Sequence, residues 1–248
     1  MILHNKPKLQ YMKTRLIYLL FLSFVFVSCQ KELSIENGTG NNGGGGGTGG
    51  GTGSNTGCKD CIYIPMCDGS RYTYNDTISG TAQVVIDTLR YVKDTTISGL
   101  TFKKFNTTTV QNSTYTNCTN GVSRIITYNA VGAGGSSVSV IDLTMLKANS
   151  PVNTTWTDIV TNPAGQQVQY IDSIREVAIS RVVNGITYPD VIHVFVTTGI
   201  DVPILGFFVT NTNDYYYARG VGLIEAVISD SFTGSVIEHR TLKTYYVP

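Results

Sequence analysis

The sequence predicts an all-β domain: one strongly curved antiparallel sheet, half-barrel or sandwich-like, built from two similar β units with little helix. Three observations point there. Apolar and polar residues alternate at period two in several short stretches. No stretch carries a long apolar stripe at helical spacing. Charged residues make up only 14% of the chain, against a usual share of about 25%, and Thr, Ser, Asn and Tyr supply the wet faces instead. That is the composition of an exported β protein.

From the N-terminus, residues 1–28 read as a secretory signal. Lys6, Lys8, Lys13 and Arg15 precede Leu16 to Val27, an apolar run of 12 residues, too short for the roughly 20 residues of a bilayer span. The run ends in Phe26-Val27-Ser28-Cys29, which resembles the lipobox of bacterial lipoproteins, with Phe26 where Leu is usual. The resemblance implies that Cys29 receives a diacylglycerol and becomes the mature N-terminus. Gln30 follows, not the Asp of inner-membrane retention, which implies passage to the outer membrane. Gln30-Lys31-Glu32 is also similar to short charged signals that carry some lipoproteins to the cell surface. The expected location is the outer membrane, on its periplasmic side or at the surface. Acyl chains contribute about 0.8 kcal/mol per buried CH2, so several of them make attachment effectively permanent.

Residues 29–57 join this anchor to the domain. Gly38 to Gly57 holds 12 of the chain's 26 glycines, too little apolar surface to offset the entropy of ordering. As a flexible coil, residues 34–57 would span roughly 25–30 Å end to end. The remainder, 58–248, suits one all-β domain. With the four basic residues of the signal removed, 14 basic and 17 acidic residues leave a net charge of −3. No basic run survives, so nucleic acid is excluded as a partner.

Within the domain, Val122, Ile126, Tyr128 and Ala130 share one face of a strand, with Arg124 the exception; Ser123, Thr127 and Asn129 take the other, with Ile125 intruding. Ile224, Ala226 and Ile228 line one face of another strand. Val191 to Val196 is apolar on both faces and predicts a central strand. Residues 139–149 fit either a strand or a short helix.

The stretch Ile97–Phe105 is similar to Val183–Val191: Gly99 matches Gly185, Thr101 matches Thr187, and Phe102 matches Tyr188. Each is followed by a tyrosine-containing stretch that runs into Gly-Val, at Gly121-Val122 and Gly220-Val221. The pattern predicts an internal repeat, over about residues 70–150 and 151–248. It also explains the Gly220-Val221-Gly222 triplet. A phosphate-cradling loop needs a helix after its glycines, whereas Leu223 to Ser229 reads as a strand, and Glu225 stands where the third glycine would be. A bulge or close backbone approach is the expectation, with Tyr215 and Tyr217 on the face opposite Tyr216. Residues from Gly185 to Val247, with Gly-Val-Gly-Leu-Ile at their centre, resemble the C-terminal part of uncharacterised lipoprotein families whose curved sheet is similar to the half-barrel of lipoprotein-carrier proteins. The resemblance implies a fold and a location, and no catalytic residues.

Beyond Cys29, the cysteines are Cys58, Cys61, Cys67 and Cys118. Outside the cytoplasm disulfides are expected, here Cys58–Cys61 and Cys67–Cys118; the Cys-x2-Cys spacing also suits a zinc knuckle. A thioredoxin-like site is disfavoured, because no βαβ pattern surrounds the pair. His193 lies in an apolar strand and reads as a packed residue; His239, between Glu238 and Arg240, reads as an exposed one. No HExxH or GxSxG occurs. Asp172, Glu176 and Glu225 are the carboxylates from which a glycoside hydrolase pair could be assembled, and Trp156 and the tyrosines could stack on sugars. Asp76, Asp87, Asp94 and Asp172 each precede Ser or Thr in triplets that resemble an O-glycosylation pattern of exported bacterial proteins.

The sequence therefore predicts an envelope lipoprotein acting as a non-enzymatic binding or structural module, with no cofactor and no metal. A glycan, a lipid or an envelope protein is the possible partner. The alternatives are an exported glycan hydrolase, which needs two carboxylates about 5–9 Å apart in a cleft, and a lipid carrier, which needs an apolar groove.

Overall fold

The computed structural model describes residues 61–79, 84–108, 113–131, 137–162, 165–202, 204 and 206–248. The signal segment, Cys29, the glycine-rich tract and Cys58 lie outside them. The described residues are all-β and contain no helix. Twelve strands form one antiparallel sheet. The first six are β1 (Arg71–Ile78), β2 (Val84–Ile97), β3 (Leu100–Thr107), β4 (Ser113–Thr119), β5 (Val122–Val131) and β6 (Ser137–Lys147). The second six are β7 (Thr155–Thr161), β8 (Gln167–Val183), β9 (Ile186–Val202), β10 (Gly206–Ala218), β11 (Gly222–Asp230) and β12 (Val236–Tyr246). The order across the sheet is β6-β5-β4-β3-β2-β1-β12-β11-β10-β9-β8-β7. Two six-stranded meanders thus meet along the β1–β12 ladder, and of the two architectures expected, the curved single sheet is the one formed.

The curvature brings the free edges, β6 and β7, together without a strand ladder. Side chains close the gap: the Trp156 indole N–H donates to the Thr144 carbonyl at 2.8 Å, and the Thr144 backbone N–H donates to Asp158 Oδ2 at 2.7 Å. The sheet is a nearly closed, barrel-like shell with a side-chain seam. Residues 139–147, undecided between helix and strand, belong to edge strand β6.

Because every connection except β6–β7 is a hairpin, turns gather at two ends. At one end the tight turns have φ > 0 at both central residues, at Ser98-Gly99, Asn120-Gly121 and Asn184-Gly185, the backbone that matches strand twist in two-residue hairpins. Residues 61–70 pack at this same end. Ile62 O accepts from Gly220 N at 2.6 Å, Pro65 O accepts from the Tyr72 hydroxyl at 2.7 Å, and Tyr63 donates to Asp190 at 2.6 Å. A disulfide from Cys61 to Cys118, at the end of β4, clamps the segment there. The opposite end carries the longer connections.

The apolar packing follows the expected strands. Ile192, Val194 and Val196 of β9 are buried with Ile64, Leu146, Trp156, Ile174 and Tyr217. A second cluster joins Tyr72, Tyr74, Leu89, Phe105, Ile224 and Leu242 to Val191, Tyr216 and Ala218. Ile224 and Ala226 are buried as expected, but β5 departs from expectation. At its start Ser123 is buried and Val122 exposed, because the β5–β6 register shifts between Ser123 and Arg124.

Gly220 and Gly222 have φ of +71° and +112°, and the β10–β11 register shifts between Tyr216 and Tyr217. The two glycines thus form the hairpin turn into strand β11, with the extra residue of the bulge two positions on at Ile224, and not a phosphate loop. At Gly222 the positive φ calls for glycine, while a Cβ there would meet Tyr72 Cε1 at an ordinary 3.5 Å.

Candidate functional site

Strand registers place two consecutive rows of residues on the inner face, toward the end with the longer connections. One row runs Asp76, Arg240, Ala226, Tyr215, Val194. The next runs Glu238, Ile228, Asn213, Val196, Asp172, Trp156. Asp87 joins them from β2, opposite Tyr74. This interior is acidic. Asp76, Asp87 and Asp172 are 5%, 3% and 5% exposed, and Asn213 is 6% exposed.

Arg240 organises the β1–β2–β12 side. Its Nε and Nη2 each donate to one oxygen of Asp76 at 2.8 Å, the forked geometry that suits guanidinium to carboxylate. Asp87 and Glu238 lie 3.8 and 3.7 Å from the same guanidinium, and its carbon stands 5.4 Å from the Tyr74 ring centre. Burial raises the Glu238 carboxyl above the usual range, Arg240 opposes the rise, and the charges of Asp76 and Asp87 add to it. Across the interior, burial pushes Asp172 up to about 7; the Asp158 charge adds to the rise and Lys147 opposes it. Tyr215 stands between the two groups. Its hydroxyl is pushed up to about 12, by burial first and then by Glu238 and Asp172.

Asn213 donates from Nδ2 to Thr198 Oγ1 at 3.1 Å, while its Oδ1, fully buried, has no hydrogen-bond partner among the described residues. Buried acceptors are nearly always satisfied, so this oxygen stands out among the described residues.

A second constellation occupies the other face. His193 sits between two carboxylates, Nδ1 at 3.1 Å from Glu176 and Nε2 at 2.7 Å from Asp214, and its ring stacks on Tyr216 at 4.4 Å. The Arg181 guanidinium covers the same Tyr216 ring at 3.3 Å and pairs with Glu225, which also accepts from His239 at 2.8 Å. His193 is thus packed as expected, with both nitrogens engaged rather than one. His239 is 43% exposed.

These positions correct the hydrolase constellation. Asp172 faces inward, whereas Glu176 and Glu225 lie on the face of His193 and Tyr216, so the three carboxylates do not converge. The cause is local. Asp172 and Glu176 are four residues apart and would share a face in a regular strand, but the β8–β9 register shifts between Ile174 and Glu176, and one slipped residue reverses the face. Trp156 is buried at the seam, its indole N–H committed to Thr144 O. Tyr215 and Tyr217 stack with each other at 6.4 Å, opposite Tyr216, as expected.

The cysteine pairing also needs correction. Cys118 bonds to Cys61, not to Cys67, and Cys61 is therefore unavailable to Cys58 or to zinc. Cys67 is itself disulfide-bonded. The physical reason is the fold of residues 61–70: Cys67 is turned inward, its Sγ 3.6 Å from Pro65 O, while Cys61 lies beside the end of β4. Among the described residues no three His, Cys, Asp or Glu converge as metal ligands.

Sequence reasoning missed the inward roles of Asp76, Asp87, Glu238, Arg240 and Asn213. The Asp-Ser/Thr triplets held part of the signal, since alternation turns each following hydroxyl away from the buried Asp76, Asp87 and Asp172.

No family model matches the chain, and no curated protein matches it in sequence. Two crystal structures are similar to it. One is a candidate lipoprotein of Parabacteroides distasonis ATCC 8503, 12% identical with a TM-score of 0.48, covering 75% of this chain and 100% of that one. The other is a candidate exported protein of Bacteroides fragilis NCTC 9343 with a YmcC-like fold, 8% identical with a TM-score of 0.45, covering 75% of this chain and 99% of that one. Both likenesses are too distant to carry a functional conclusion.

Proposed function

We propose that this chain is a lipid-anchored protein of the bacterial cell envelope, held at Cys29 in the outer membrane, and that its β domain is a non-enzymatic binding module for a hydroxyl-bearing ligand such as a glycan. The location rests on the signal, the lipobox-like Phe26–Cys29 and the glycine-rich tether. The binding reading rests on one observation: the buried Asn213 Oδ1 lacks a donor within an inner row that also holds the protonatable Asp172. A sugar hydroxyl supplies such a donor and accepts one in return.

The acidic inner rows weigh against an acyl-chain carrier, because a lipid tail offers the carboxyl groups of Asp172 and Glu238 and the Asn213 oxygen no hydrogen-bond partner. The separation of Asp172 from Glu176 and Glu225 weighs against a hydrolase built on those acids. The two six-stranded meanders further support the repeat of residues 70–150 and 151–248, which we propose as a duplicated unit.

The mature protein is tested on a glycan array and with a fluorescent fatty acid, with Asn213→Leu as the comparison variant. Saturable glycan binding that falls at least tenfold in the variant supports the proposal. Stoichiometric fatty-acid binding, or glycan cleavage by the wild type, overturns it. Mass spectrometry of the membrane-extracted protein tests the anchor, with a diacylglyceryl Cys29 as the expected N-terminus.

A further inference from the structure

On the outer face of the β12–β1–β2 ladders, Tyr246, Arg71 and Arg90 stand side by side: Arg71 is paired with Tyr246 on one flank and Arg90 on the other. Like charges directly opposite each other destabilise a sheet, and a fold normally separates them or interposes an acid. Here neither arginine makes an ion pair or hydrogen bond with any described residue. The nearby acids are engaged elsewhere, Asp68 and Asp94 by Lys103 at 2.5 and 2.9 Å. Both guanidiniums are exposed and line a recess of about 430 Å³ with Gly69, Tyr91 and Tyr246. Gly69, at φ +83°, forms one wall, where a Cβ would press on Pro248 at 3.3 Å.

We infer that this recess is an oxyanion-binding site, in which Arg71 and Arg90 together hold a carboxylate or phosphate group of a small ligand and Tyr246 flanks it. Two planar guanidiniums offer forked donors matched to such oxygens. An anion between them also removes the repulsion that the empty pair carries. The hydroxyls of Thr73 and Thr88, 3.3 Å apart, lie two residues along the same face, so an acidic sugar suits the surroundings better than a bare ion. This site lies on the opposite face from Asn213 and stands independently of the interior reading.

Calorimetric titration of the mature protein with inorganic phosphate, glucuronate and neutral glucose, at low and at 0.5 M salt, tests the inference. Saturable binding of phosphate, glucuronate or both, weakened at high salt and reduced at least tenfold in Arg71→Gln and in Arg90→Gln, is the expected result; the stronger of the two anions names the source. Both arginines are exposed, so the variants should melt at or above the wild-type temperature. Should a variant fail to fold, guanidinium NMR signals of the wild type replace it, and Arg71 and Arg90 should shift on anion addition. Binding of neither anion at 10 mM (on the order of the weakest millimolar affinities), equal binding of glucose, or unmoved arginine signals overturns the inference.

Discussion

Asp172 carries the clearest electrostatic consequence of a single residue. Burial and Asp158 hold its carboxyl near 7, about three units above an ordinary aspartate. The folded state therefore keeps a proton that the unfolded chain releases. Below about pH 4 both states are protonated and no penalty exists; between about pH 4 and 7 stability falls, and above 7 the full penalty, up to about 4 kcal/mol, remains. Asp172→Asn should remove that slope and raise the melting temperature at pH 8 while changing little at pH 4, as a pH series of thermal melts would show. Arg240 has the opposite role, because it neutralises Asp76 and stands between Asp87 and Glu238. Arg240→Met should cost roughly 3–5 kcal/mol, since it strands buried carboxylates. Urea unfolding at pH 7 measures the loss, and Asp76→Asn in the same chain should recover part of it.

Among the elements, the β6–β7 seam depends on side chains where every other neighbouring pair has a backbone ladder. Trp156→Phe keeps the ring but removes the N–H that satisfies Thr144 O, and should cost about 1–3 kcal/mol. Amide exchange at Thr144 should quicken more than exchange in β9. The β9–β10 hairpin makes a different demand. A Cβ on Gly199 would lie 2.5 Å from Phe208 O and 2.6 Å from the Phe207 ring, so the glycine exists to admit that crossing. Gly199→Ala should destabilise by about 1–3 kcal/mol through overpacking, read as a lower urea midpoint with unchanged slope.

For the whole molecule, the Cys61–Cys118 bond joins the segment that enters the domain to the first meander across 57 residues of sequence. In the chain-entropy model a loop of that size stabilises by about 4 kcal/mol. Cys61→Ser with Cys118→Ser should lower the denaturation midpoint accordingly, and a non-reducing peptide map should link these two cysteines. The architecture was largely legible beforehand: period-two alternation marked β5 and β11, a run apolar on both faces marked β9, and the paired glycine turns marked corresponding places in the two meanders. The site was not. Strand alternation says which residues share a face only while the register is unbroken, and the shift at Ile174/Glu176 falls between Asp172 and Glu176 and sends them to opposite faces.

What the sequence determined by itself is local. Short-range alternation and glycine placement set the strands and turns, and the order of segments set the expected signal, tether and domain. What the tertiary structure decided is everything that depends on closure. It chose Cys61 over Cys67 as the partner of Cys118, turned Asp172 inward and Glu176 outward, gathered Asp76, Asp87 and Glu238 around Arg240, and left Arg71 beside Arg90 without an acid. Alternation is a property of neighbours along the chain, whereas pairing, burial and charge balance arise between residues up to 164 positions apart, which only the curved sheet brings together.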